Sequence, residues 1–415
     1  MTTSWSCESG ARAYAGAAMT LRRTYVDHAA TTSMLPASIE AVTAQLAQVG
    51  NASSLHGAGR RARRVVEESR ERIAQSLECR PGDIVFTSGG TESDNLAVKG
   101  IYWARRAEDP RRTRILTTAV EHHAVLDPLQ WLAAEQGAIV EMLPVDREGR
   151  LDVEALTATV AADPSTVALI TVMWANNEVG TLQPIGEVVA LAHHHGIPVH
   201  TDAVQAVGSV PVSFRDSGVD ALTFTGHKLG GPYGVGALVA RRDLGVQALL
   251  HGGGQERDIR SGTLDVAAIA GLSAAVAAAV DTQARHARHV SGLRDDLVRR
   301  VLAEVPDAHL HGADVTGARL PGNAHIGFPG CEGDSLLMLR DARGVECSTG
   351  SACSAGVPQP SHVLLAMGCD PVDARHSLRF SFGRTSTPAD VDAVVEAIGP
   401  VVERARAAAA PRRSR

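Results

Sequence analysis

Aromatic side chains are scarce, at 3% of 415 residues, so any core must be built from aliphatic and small side chains. Abundant Gly and Ala within a 44% apolar composition suit helices packed closely on a sheet. Cysteine is scarce too. Cys7, Cys79, Cys331, Cys347, Cys353 and Cys369 are scattered and form no C-x-x-C pair, which argues against a disulfide framework or a zinc ribbon and fits a reducing cytoplasm. No apolar run is long enough to span a bilayer; the stretch from Ala267 to Val280 is alanine-rich and short. Basic residues, 40 against 46 acids, leave a net charge of −6 and no global field for nucleic acid. The expectation is a soluble protein. Residues 1–23 contain no sustained hydrophobic region after a basic start, so they do not read as a secretory signal. They are expected to be disordered, with Met19 as an alternative start, and the low-complexity tail 407–415 is expected to fray.

What is present is an alternation. Ile84–Thr87, Ile115–Thr118, Ile139–Leu143, Val167–Met173, Val199–Asp202 and Ala221–Phe224 read as strands, most of them separated by helical stretches such as Val125–Gln136 and Ile185–His195. Over roughly 200 residues this predicts an α/β fold: a mainly parallel sheet covered on both faces, with functional loops at the strands' carboxyl ends. Pro36 opens a predicted helix to Val49, and Arg60–Leu77 a second, amphipathic one. After Gly262 the pattern changes to one long alanine-rich helical region, Val266 to about Val305. The predicted division is a large domain, 37–283, and a smaller α+β domain made of 24–36 with 284–406.

Several clusters carry chemistry at those strand ends. Ser88-Gly89-Gly90-Thr91 joins a strand to a helix and offers backbone N–H groups and a helix dipole to an anion, although glycine turns before helices are common. Asp202 closes one strand, where a carboxylate can keep a pyridine nitrogen protonated or simply cap a turn. Thr225-Gly226-His227-Lys228 closes the next, placing a lysine where a Schiff base to a carbonyl cofactor can form. A lone loop lysine is ordinarily a surface lysine. Lysine, carboxylate and phosphate cradle together make a pyridoxal phosphate site. His122-His123 and His193-His194-His195 lack metal-ligand spacing, and no metal is expected. Cys353 sits in the small-residue run Ser348-Thr349-Gly350-Ser351-Ala352-Cys353-Ser354-Ala355-Gly356, which favours an exposed loop able to present a thiolate nucleophile. Cys347 is expected to be the packed one.

From Tyr25 to Arg384 the chain resembles the cysteine desulfurases, pyridoxal 5'-phosphate enzymes of the class V aminotransferase fold. The resemblance rests on Asp27-His28-Ala29-Ala30-Thr31-Thr32, Gly50-Asn51-Ala52-Ser53, Thr87 to Asn95, Glu121-His122, Asn176 to Gly180 and Asp202-Ala203-Val204-Gln205. It continues through Gly226-His227-Lys228, His251 to Glu256, Arg260-Ser261-Gly262-Thr263, Ser351-Ala352-Cys353 and Arg379-Phe380-Ser381. It implies fold type I and a homodimer. It further implies Lys228 as the lysine of the internal Schiff base, Asp202 at the pyridine nitrogen, His122 stacked on the ring, and Gln205 and Asn177 near the phenolic oxygen. Gly90, Thr91, Thr225 and His227 would hold the phosphate, with Thr263 reaching in from a second subunit. Asn51 and Arg379 would bind the carboxylate of L-cysteine. Cys353 would take the sulfur as a persulfide while alanine is released, with His122 carrying a proton. The loop resembles the longer-loop branch that feeds iron–sulfur cluster assembly, so a sulfur-acceptor protein, a cluster scaffold or a tRNA-thiolation enzyme, is expected. Thr349 stands where many members have serine, and the tail does not resemble a scaffold-docking segment. A selenocysteine lyase, another class V aminotransferase and a catalytically silent scaffold are the alternatives.

Overall fold

The computed structural model describes residues 23–331, 333–341, 343–350 and 360–409. The behaviour expected of residues 1–22 and of the end of the tail, and the placement of Cys353, lie outside these residues.

Among the described residues twelve strands run in chain order: β1 (Thr24–Tyr25), β2 (Ile84–Thr87), β3 (Arg114–Thr118), β4 (Ile139–Leu143), β5 (Val167–Thr171), β6 (Val199–Asp202), β7 (Ala221–Thr225), β8 (Gly236–Ala240), β9 (His309–His311), β10 (Asn323–Gly327), β11 (Val345–Glu346) and β12 (Ser377–Ser381). Seven form one sheet in the order β2-β8-β7-β6-β5-β3-β4. Only β8 opposes the others, pairing antiparallel with β2 and β7. The carboxyl ends of β2, β3, β5, β6 and β7 therefore share one edge. Strands β2 and β5 to β8 are buried at every position, as expected when helices cover both faces.

One face of the sheet packs on helices Gly57–Leu77 and Val266–Asp281 through Val66, Ile73, Leu77, Leu272 and Val276. The other face packs on helices Gly90–Glu108 and His123–Gln136 through Leu96, Ile101, Val125 and Leu129. A separate apolar cluster joins helices Gln283–Glu304 and Pro388–Ala409 to the antiparallel sheet β12-β10-β9. Val26, next to β1, belongs to that cluster, and β1 pairs with β11.

The helical region after Gly262 is two helices, Val266–Asp281 and Gln283–Glu304, meeting at 71°. Thr282 marks the break: its hydroxyl donates back to the Ala278 carbonyl (2.6 Å) and accepts from Arg384 Nη1 (2.6 Å). An alanine-rich pattern carries no signal for such a bend, because the apolar residues continue on both sides of it. The helix opened by Pro36 ends at Leu46, and the amphipathic helix begins at Gly57, where His56 caps it by accepting from the Gly59 amide. Among the described residues no single helix is long and apolar enough to cross a membrane.

Candidate active site

The shared edge of the sheet opens into a cavity of about 380 Å³. Gly90, Thr91, His122, Asn177, Asp202, Gln205, Thr225, His227, Lys228 and Arg379, all read from the sequence, line it. Asn51 does not. It lies exposed in the loop before helix Gly57–Leu77, its Oδ1 accepting from the Ser53 amide at 2.9 Å. Thr263 is exposed and also outside the lining of this cavity.

Lys228 follows β7 on a single 3₁₀ turn, Gly226–Lys228. Its ammonium donates to the Ala29 carbonyl and to the Ala30 carbonyl, the latter at 2.7 Å. Burial and then the charge of Arg379 bring the lysine down to about 8, against the pull of Asp27 and Asp202. About a tenth of the amine is therefore neutral at pH 7, far more than for an ordinary lysine. Gln205 Nε2 also donates to the Ala29 carbonyl (2.9 Å), so one backbone oxygen ties two cavity residues to the first loop of the chain.

Asp202 is buried at the end of β6, and one of its oxygens accepts from the Val204 amide at 2.9 Å. Burial raises its carboxyl to about 6, opposed by that amide and by Lys228, so the carboxylate predominates at neutral pH. His122 caps helix His123–Gln136, its Nδ1 accepting from the Ala124 amide at 3.0 Å. That bond occupies the Nδ1 lone pair, so neutral His122 carries its proton on Nε2. Loss of hydration and the Lys228 charge lower it to about 4, although the ring remains open to solvent through the cavity. His227 is lowered to about 4 for the same two reasons and lies beside Tyr233, with ring centroids 5.7 Å apart.

Arg379 comes from β12, in the other apolar cluster, and completes the cavity from across the fold. Nη2 donates to Asp27 Oδ1 (2.7 Å) and Nη1 to the Asn177 carbonyl (2.9 Å), while Nε is buried with no partner among the described residues. The Ser348 amide and carbonyl pair with the Arg379 backbone, so the strand carrying the arginine also holds a residue five positions before Cys353. Cys347, just before it, accepts from Arg340 Nη1 at 3.5 Å, and burial raises its thiol.

The cavity's residues suit a pyridine ring bearing a phosphate. Gly89 and Gly90 put the amino end of the 19-residue helix Gly90–Glu108 at the wall, and a Cβ on Gly90 would meet Val204 at 3.1 Å. A buried carboxylate and a lysine share the same space. Three lining or neighbouring groups had no role in the sequence reading: Asp27, which holds Arg379; the Ala29 and Ala30 carbonyls, which hold Lys228; and Asp94, buried in the wall. The first two belong to the Asp27-His28-Ala29-Ala30 motif. Their function depends on a contact made some 200 residues or more away, which no local pattern encodes.

Comparison with known proteins agrees with this architecture. The family model for aminotransferase class-V matches residues 24–394. The fold is also similar to the solved structure of a NifS-like protein, with a TM-score of 0.84 and 34% identity over 92% of this chain and all of that one. The chain belongs to the class-V aminotransferase family. The IscS-like cysteine desulfurase of Mycobacterium tuberculosis is 57% identical over 385 residues, covering 93% of this chain and 98% of its relative. Cysteine desulfurase NifS of Azotobacter vinelandii is 41% identical, covering 92% and 93%. Within the family, the chain is a member of the cysteine desulfurases of IscS and NifS type.

Proposed function

We propose that the cavity binds pyridoxal 5'-phosphate and L-cysteine and that the protein removes sulfur from the amino acid, releasing alanine and leaving a persulfide on Cys353. The observation that carries this reading is the convergence of Lys228, Asp202, His122 and Arg379 on one cavity. When bound through Lys228, the cofactor supplies an electron sink for the substrate's α-carbon.

The chain's own residues supply the rest. Arg379 offers a guanidinium fork to the substrate carboxylate from the cavity wall. Lys228, lowered to about 8, serves as the base for the α-proton once its amine is free. Asp202 supplies the negative charge that holds a proton on the pyridine nitrogen. Gln205 and Asn177, both in the cavity lining, would hold the cofactor on the side of its phenolic oxygen. His122 presents Nε2–H to the cavity as the proton carrier. The phosphate is held by Gly90, Thr91, Thr225 and His227, and by Thr263 of a second copy; its exposure in a single chain is compatible with that role. Asn51 assists the carboxylate only if its loop or a second copy brings it to the cavity. Cys353 attacks the sulfur as a thiolate, so the Cβ–S bond breaks as the S–S bond forms.

Grouping 24–36 with 284–406 around one core and 37–283 around the other is supported by the packing of Val26. A homodimer, a protein sulfur acceptor and a cytoplasmic location complete the proposal. The test is incubation with L-cysteine, followed by mass analysis of the intact protein and its peptides. One added sulfur on Cys353, with alanine in solution, is expected. Sulfur released at the full rate by Cys353→Ser would overturn the nucleophile assignment.

A further inference from the structure

The wall that holds Asp202 holds a second carboxyl group with no cationic partner among the described residues. Asp94 sits on the first turns of helix Gly90–Glu108, is 1% exposed and lines the same cavity as Asp202. Its Oδ1 has no hydrogen-bond partner among the described residues and stands 3.7 Å from His200 Nε2. His200 is fully buried and shared between two hydroxyls, Thr171 Oγ1 (2.9 Å) at Nδ1 and Thr223 Oγ1 (3.1 Å) at Nε2. Burial lowers it to about 3, so it brings no positive charge to the wall. Glu121, on the loop after β3, is the other acid nearby; its Oε1 accepts from Thr118 Oγ1 and the Met173 amide, both at 2.9 Å, and its Oε2 has no partner. The cations of the cavity are engaged elsewhere: Arg379 on Asp27, and Lys228 on the carbonyls of Ala29 and Ala30.

Two carboxyl groups in one dry wall cannot both ionise cheaply, so one retains a proton. The Val204 amide and the Lys228 charge favour the anion on Asp202, while Asp94 has only the Thr223 hydroxyl and repulsion from Asp202 and Glu121. We propose that Asp94 is a positioning residue, held as a neutral carboxylic acid in the same wall as Asp202, so that the wall's single negative charge sits where the cofactor's ring nitrogen would lie. The inference rests on the cofactor reading given above. Burial and the neighbouring Asp202 charge push the Asp94 carboxyl well above the usual range, in agreement with this geometry.

Asp94→Asn and Asp94→Leu test it in the full-length protein, with two readouts. In the cofactor-loaded protein, Asn replaces a neutral acid by a neutral amide. It should keep pyridoxal 5'-phosphate affinity within about twofold and leave the pH midpoint of the visible absorbance in place. Leu removes the polar group and should weaken affinity about tenfold. A midpoint moved by about one pH unit or more in Asn would show that a charge had been removed and overturn the proposal. Equal affinities for Asn and Leu would overturn the positioning role.

The second readout needs no cofactor. A folded state that keeps a proton on Asp94 loses stability as pH rises above the ordinary carboxylate range, by up to about tenfold in the unfolding constant per pH unit. Urea titrations should show that slope reduced in Asp94→Asn, with Glu121 and Asp202 contributing equally to both proteins. An unchanged slope would overturn the neutral-acid assignment. Infrared comparison provides the same decision: a protonated-carboxyl band weakened in Asp94→Asn or Asp94→Leu supports the proposal, and a band unchanged from the unsubstituted chain counts against it, since buried Glu121, raised to about 8, contributes to all three. Failure of the unsubstituted protein to bind the cofactor would instead sink the functional reading, while the urea and infrared results still decide the proton on Asp94.

Discussion

At the scale of single residues, Arg379 and Lys228 are each held by groups from the first loop of the chain, so their substitutions should separate binding from chemistry. Arg379→Lys keeps the charge but loses the fork, which Asp27 and the Asn177 carbonyl already orient. Steady-state kinetics should show KM for cysteine raised by about 10- to 100-fold, with a smaller loss in kcat. Lys228→Ala removes the proposed covalent anchor and should abolish the visible absorbance expected of the bound cofactor. Cys353→Ser should keep that absorbance and stop both persulfide and alanine formation. The two variants together distinguish activation of the substrate from capture of its sulfur.

At the scale of elements, the turn between β2 and helix Gly90–Glu108 depends on backbone freedom more than on space. Gly89 has φ 154° and ψ −174°, a region almost closed to other residues, whereas an added Cβ would meet nothing nearer than Thr225 Oγ1 at 3.7 Å. Gly89→Ala should therefore cost about 1–3 kcal/mol in urea unfolding and weaken cofactor binding together. On the opposite side of β2, Arg70 Nη1 and Nη2 donate to Glu256 at 2.9 and 2.7 Å, and the same glutamate accepts from the Phe86 amide. This buried pair fastens a loop in which Glu256, Arg257 and Asp258 all have positive φ. Arg70→Met would leave Glu256 buried without its partner, and chemical denaturation should register about 3–5 kcal/mol of lost stability.

At the scale of the whole molecule, buried histidines and buried acids set opposite limits on pH. Burial lowers His28, His286 and His311 to about 4 and His200 to about 3. The unfolded chain then binds more protons below about 6.5, so stability falls as pH drops from there toward 4. Glu121, raised to about 8, and Asp202, raised to about 6, act in the other direction, and their contribution is lost as pH rises from the ordinary carboxylate range through those values. Lys228 enters only above about 8, where its folded form has already released its proton. His122, His227 and His325 are lowered by burial as well, so the histidines outweigh the raised acids below 6.5, while Glu121 and Asp94 act with little opposition above it. Urea unfolding of the cofactor-free chain should show greatest stability near pH 6.5, with the steeper loss on the acid side.

The alternation of strands and helices, and the motifs at the strands' carboxyl ends, are local. Period, glycine turns and capping residues are properties of neighbouring positions, and they placed Asp202, Gly90 and Lys228 on the correct edge of the sheet before any contact was known. The reversal of β8 and the 71° bend at Thr282 were not legible, since each follows from packing that a short window cannot contain. Neither was the electrostatic state of the cavity. The resemblance to cysteine desulfurases supplied roles for Arg379 and His122. Only the tertiary structure put Arg379 against Asp27, Lys228 against Ala29 and Ala30, and Asp94 in one cavity wall with Asp202, because a pKa or an ion pair depends on distance and burial between residues far apart in the chain.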